Sequence, residues 1–201
     1  MISASALLNL RLKLDDAITY GTKGQAVKLA KKGLKQAEEK KSAGEAEYFK
    51  GQIDILKGNF ASAIEHFDAA IRINPKDGAA YNDRALCMVE LGIIDPAFEY
   101  FDKGIEVEPD YATIYHNKGW LLNNTGLHKE AIKCFKKALD LDPDRPVTYD
   151  NLADSLLSLA DYRGALKAYK KVLELLKPGR CLGIRRQIKE KIKYLKEKVK
   201  G

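Results

Sequence analysis

The chain has 201 residues, of which 45% are hydrophobic and 31% charged, a balance typical of soluble folded proteins that argues against a disordered chain. Three cysteines, Cys87, Cys134 and Cys181, are odd in number and far apart, which argues against a disulfide framework and for a reducing compartment. Net charge is +7, and nine Lys/Arg against two Asp/Glu fall within 180–201, so the residues before that tail balance.

The first stretch carries Leu7, Leu8, Leu10, Leu12, Leu14, Ala17 and Ile18, apolar positions for an opening helix. Asn9 and Arg11 interrupt it and no basic segment precedes it, so it reads neither as a signal peptide nor as a membrane span. The expected location is cytoplasmic. Tyr20 to Gly24 is a turn, because glycine readily ends a helix. A second helix is predicted over 25–41, with Ala26, Val27, Leu29, Ala30, Leu34 and Ala37 at helical spacing.

From Gly44 the chain repeats at a period of 34 residues, as 44–77, 78–111, 112–145 and 146–179. Gly51, Ala85, Gly119 and Ala153 form a small-residue column, which lets two helices approach closely. Gly58, Gly92, Gly126 and Ala160 form a turn column. Ala63, Ala97, Ala131 and Ala165 precede Phe67, Phe101, Phe135 and Tyr169 by four residues, so both sets share one face of the second helix. Pro75, Pro109 and Pro143 close three units, and Pro178 comes one place late in the fourth. Each unit is a helix pair with one apolar face that a neighbouring unit must cover. Residues 1–43 are a degenerate copy, with Leu14, Ala30 and Gly33 in key columns. In 180–201, Ile184, Ile188, Ile192, Leu195 and Val199 form one stripe on a basic capping helix.

These columns resemble the tetratricopeptide repeat. The resemblance implies an all-α fold, a right-handed superhelix of stacked antiparallel helix pairs. It also implies a non-enzymatic scaffold that binds a peptide on the concave side, lined by the first helix of each unit. Glu47 replaces the large aromatic present as Tyr81, Tyr115 and Tyr149, which predicts a looser edge in the first full unit.

Carried onto this chain, the groove side presents Tyr48, Phe49 and Gln52, then Asn82, Asp83, Leu86 and Glu90. His116, Asn117, Trp120, Asn123 and Asn124 follow, then Asp150, Asn151, Asp154 and Ser158. Amides such as Asn117 and Asn151 offer a donor and an acceptor to an extended backbone. Trp120 is the usual kind of hot-spot residue. Asp83, Glu90, Asp150 and Asp154 favour a neutral or basic ligand. The plainer reading is that polar residues line any solvated groove and that Trp120 packs between helices. Some family members clamp a chaperone's C-terminal carboxylate with Lys, Arg and Asn. The matching positions here are Asn82, Leu86, Asn117, Val147 and Asn151, or one unit earlier Tyr48, Gln52, Asp83, Thr113 and Asn117. Neither set contains a cation, so this mode is expected to be absent.

No cofactor or metal site is expected. His66, His116 and His128 sit in different units without ligand spacing, and no nucleophile–histidine arrangement or phosphate loop is present. Two alternatives to the peptide groove stay open: self-assembly into a homo-oligomer through an uncovered end, and contact of the basic terminal helix with nucleic acid or an anionic membrane.

Overall fold

The computed structural model describes residues 2–176 and 182–200; Pro178 and Cys181 lie outside the described residues. These residues hold no strand and form eleven helices. Six belong to the compact unit Met1–Pro109: α1 (Ile2–Tyr20), α2 (Lys23–Glu39), α3 (Ala43–Lys57), α4 (Phe60–Ile73), α5 (Gly78–Glu90) and α6 (Ile94–Val107). Five belong to the unit Asp110–Gly201: α7 (Ala112–Asn124), α8 (His128–Leu141), α9 (Pro146–Ser158), α10 (Tyr162–Leu175) and α11 (Leu182–Lys200). Within each unit, consecutive helices pack against each other.

Small residues set how closely each pair packs. A Cβ on Gly51 would meet the Phe67 ring at 2.8 Å, and one on Gly119 would meet Phe135 at 2.8 Å. Between α2 and α3 of the next repeat, Gly33 leaves room for the Phe49 ring in the same way. Phe67, Phe101, Phe135 and Tyr169 are all fully buried, as are the alanines four residues before them. Burying one such aromatic side chain stabilises by about 1.5–3 kcal/mol.

The turns follow the glycine column. Gly58, Gly92 and Gly126 have φ of 84°, 76° and 83°, the left-handed region that ends a helix without a Cβ clash. Ala160 takes the same place with φ 59°, a strained conformation for alanine. Pro75, Pro109 and Pro143 fall just past the ends of α4, α6 and α8, where no helical donor is needed. Thr22 starts α2 with a capping box: its Oγ1 accepts from Gln25 N at 3.3 Å, and Gln25 Oε1 accepts from Thr22 N at 3.0 Å. That cap places the helix start at Lys23, two residues before the sequence expectation.

Three expectations need correction. Leu8, Leu12 and Ile18 are exposed, and α1 buries Leu7, Leu10, Leu14 and Ala17 instead. On α11, Ile184 is exposed and only Ile188, Ile192 and Leu195 of the predicted stripe are buried. Arg185 sits beside them and donates to the carbonyls of Leu173 (3.1 Å) and Leu176 (2.6 Å), closing the end of α10. The edge at Glu47 is not loose. Glu47 accepts from Lys50 Nζ at 2.7 Å and lies 2.7 Å from His66 Nδ1, so an ionic cluster fills the place of the aromatic. Burial alone would raise the Glu47 pKa, but Lys50 and His66 hold it below the ordinary carboxylate value.

Candidate functional site

Within each unit, the first helix of a pair turns one face to its own partner and another to the next first helix, as Tyr48–Asp83 and His116–Thr148 show. What remains is the candidate site. In the second unit, Asn117, Trp120 and Asn124 are spaced three and four apart, so they share one face of α7. Asn151, Asp154 and Ser158 repeat that spacing on α9, 34 residues later. Asn124 and Ser158 are exposed; Asn117, Trp120, Asn151 and Asp154 are half-buried. The two faces therefore present amides and a carboxylate around one aromatic.

One position earlier the chemistry is different, because one residue rotates a helical side chain by about 100°. His116 is 6% exposed and packs against the Phe135 ring, and its Nδ1 lies 3.0 Å from Thr148 Oγ1 on α9. Burial, reinforced by the nearby Arg145, lowers its pKa to about 3, so the ring is neutral. Thr148 is buried as well, and Arg145 donates to Thr113 at 2.6 Å. Asn123 belongs to this inter-helix set too: it accepts from Ser155 Oγ at 2.8 Å and lies 2.7 Å from His128 Nδ1.

Asp150 and Asp154 face α11. Lys191 Nζ donates to Asp154 Oδ1 at 2.8 Å, stops 3.8 Å from Asp150 Oδ1, and lies 4.8 Å from the centroid of the Tyr169 ring. Tyr169 also donates its hydroxyl to Asp154. Asp150 Oδ1 is itself buried and accepts no hydrogen bond. Burial raises the Asp150 pKa, Lys191 opposes this, and Asp154 adds to it.

In the first unit the corresponding face is largely closed. Asp83 is buried and accepts from Tyr48 Oη (2.9 Å), Gln52 Nε2 and Asn82 Nδ2 (2.8 Å). Burial pushes its carboxyl up to about 7, against the hydrogen bonds from Tyr48 and Asn82 and the charge of Arg11, with Asp15 adding to the rise. Arg11 of α1 stacks 3.6 Å from the Tyr48 ring centroid and donates to both carboxylate oxygens of Asp77, at 2.9 and 2.7 Å, and to Glu45 at 2.9 Å. Burial disfavours the Arg11 charge, yet Asp77, Tyr48 and Glu45 raise its pKa further.

These contacts correct the groove assignment. Tyr48, Phe49, Gln52, Asn82, Asp83 and His116 are buried between helices and present no open face. Leu86 is half-buried and Glu90 exposed on α5. Arg11, Thr148 and Lys191 were not singled out from sequence. Arg11 and Lys191 lie outside the strict period, so no column marks them, and Thr148 has no matching column partner. Among the described residues no group of His, Cys, Asp and Glu is placed to hold a metal ion, and no helix is long and apolar enough to cross a membrane.

Family models described as tetratricopeptide repeat match residues 110–177, and 24–78 with 57–106. The chain belongs to the tetratricopeptide repeat family. It is 43% identical over 65 residues to the Hsp70-Hsp90 organizing protein of Triticum aestivum, and 39% identical over 64 residues to the Hsp70-Hsp90 organizing protein 2 of Arabidopsis thaliana. Each match covers 31% of this chain and 11% of the length of the relative. Among solved structures, it resembles a thermophilic TPR protein of Thermus thermophilus, with a TM-score of 0.72, 23% identity and coverage of 91% of this chain and 96% of that one. YrrB, described as a TPR protein with an unusual peptide-binding site, matches at TM-score 0.58 and 20% identity over 87% and 88% of the two chains. These structural likenesses carry the fold.

Proposed function

We propose that this protein is a non-enzymatic adaptor that holds an extended segment of another protein on the shared face of α7 and α9. The repeats are 44–77, 78–111, 112–145 and 146–179, with 180–201 as cap. Asn117 and Asn151 hold the backbone of the segment, Trp120 covers an apolar side chain, and Asn124 adds a further amide, so the face favours a neutral or basic sequence. The observation that carries this reading is that Asn117, Trp120, Asn151 and Asp154 keep surface on their helices while His116, one residue away, is consumed by packing. Membership of a repeat family and partial likeness to organizing proteins support a protein partner. The missing Lys and Arg at the carboxylate-clamp positions argue against capture of a chaperone tail. Cys87 and Cys134 form no disulfide, which fits a reducing, cytoplasmic setting.

Trp120 is the sole tryptophan, so its fluorescence reports binding directly. Peptides of alternating apolar and Lys residues are expected to change its emission, and their Glu-substituted counterparts are not. Asn117→Ala with Asn151→Ala removes two pairs of hydrogen bonds and is expected to weaken binding by roughly tenfold or more. Unchanged affinity in the double variant would sink the reading.

A further inference from the structure

On the outward side of the second helices, three successive columns carry charges whose sign differs between α6 and the pair α8 and α10. On α8, Lys129, Lys133 and Lys136 are exposed, at steps of four and three. On α10, Arg163, Lys167 and Lys170 occupy the same columns 34 residues later and are also exposed. On α6, those columns hold Asp95, Glu99 and Asp102, all exposed; one turn further on, Glu106, Asp140 and Glu174 are acidic and exposed in all three helices, so the sorting is confined to the first three columns. Lys103, beside this acidic face, leans over the Tyr100 ring at 4.9 Å.

The scaffold does not impose this sorting. The three helices bury the same columns, Ala97, Ala131 and Ala165 with Phe101, Phe135 and Tyr169, so any polar residue serves equally well on the outside. Steps of four and three along a helix place charges about 6 and 4.5 Å apart on one face. An acidic face and a basic face with the same steps therefore match charge for charge. The six cations make no ion pair among the described residues.

We propose that this chain associates with a second copy of itself, the acidic face of α6 in one copy lying against the basic faces of α8 and α10 in the other. The contact is heterologous, since two different surfaces meet. It is held by charge: the exposed large hydrophobics of the second unit lie at Leu127, Leu159, Leu182, Ile184 and Tyr194, away from these columns. The basic faces interleave no aromatic side chains in their columns, which disfavours a single-stranded nucleic acid that would stack its bases there. The same absence of apolar residues disfavours insertion into a membrane. The peptide-binding reading is independent of this proposal, because it uses a different face of different helices.

Charge reversal with mixing tests it on the full chain. Sedimentation velocity at low ionic strength is expected to show wild-type mass rising with concentration, and the association weakening by about tenfold or more at physiological salt and above. Variant one carries Glu99→Lys and Asp102→Lys; variant two carries Lys133→Glu, Lys136→Glu, Lys167→Glu and Lys170→Glu. Each alone is expected to be monomeric with a wild-type circular dichroism spectrum. Mixed one to one, they are expected to associate again, since variant two keeps the wild-type acidic face of α6 and variant one keeps the wild-type basic faces of α8 and α10. A wild type that stays monomeric at every concentration overturns the proposal. So does association that survives in either variant alone, or a mixture that fails to associate. Binding of a poly-glutamate or oligo-deoxythymidine probe by a strictly monomeric wild type also overturns it, and assigns the basic face to another acidic partner.

Discussion

Acidification should loosen the second unit before carboxylate chemistry sets in, and His116 is the reason. In the folded chain its pKa is lowered to about 3 by burial and by Arg145, from an ordinary value of 6.5. The groups that face it are Thr148 from α9, Arg145 just before α9 and the Phe135 ring from α8, and none of them accepts a proton on its behalf. Between about pH 6.5 and pH 3 the unfolded chain binds a proton at this residue that the folded chain refuses. Stability supplied by the neutral ring is therefore complete above pH 6.5 and is lost as pH falls. Going from pH 7 to pH 5, the loss is about 2 kcal/mol. For a unit of this size that lowers the urea midpoint by roughly 1 M. Trp120 lies one turn from His116 on the same helix, so its fluorescence follows the unfolding of this unit. His116→Gln should flatten the dependence. Equal midpoints at pH 7 and pH 5 in the wild type, or an equally steep fall in His116→Gln, would refute the reasoning.

Two further outcomes follow from the same geometry. In the first unit Asp83 behaves with the opposite sign: its carboxyl is raised to about 7 by burial, so the folded chain binds the extra proton, and stability is lost as pH rises from the ordinary carboxylate value of 3.8 through 7. Asp83→Asn should abolish that slope, read by hydrogen exchange of α3 and α5; a slope that persists would assign it to another group. Ala160→Gly relieves a left-handed alanine and should stabilise the second unit by about 0.5–1 kcal/mol in urea unfolding, whereas a loss would mean that the turn tolerates its strain.

The sequence by itself determined the repeating scaffold of this protein. Gly58, Gly92 and Gly126, the alanine–aromatic pairs, and Gly51 and Gly119 answer requirements that recur every 34 residues, so each copy of a column restates the same steric demand. Partition of the polar residues was decided only by tertiary structure. Asn82 and His116 look the same in sequence as Asn117 and Asn151, yet a rotation of one residue turns them into the seam between first helices, and Asp83, in the same column as Asn117 and Asn151, is buried because Tyr48 and Gln52 reach it. The partners that bury them are far away along the chain: Tyr48 for Asp83, Thr148 for His116, and Arg11 for Asp77, 66 residues distant. Lys191 reaches Asp154 from a helix that has left the period. A buried polar group must find its hydrogen-bond partner wherever packing brings one, and that choice depends on contacts between helices rather than on the local spacing that a sequence displays.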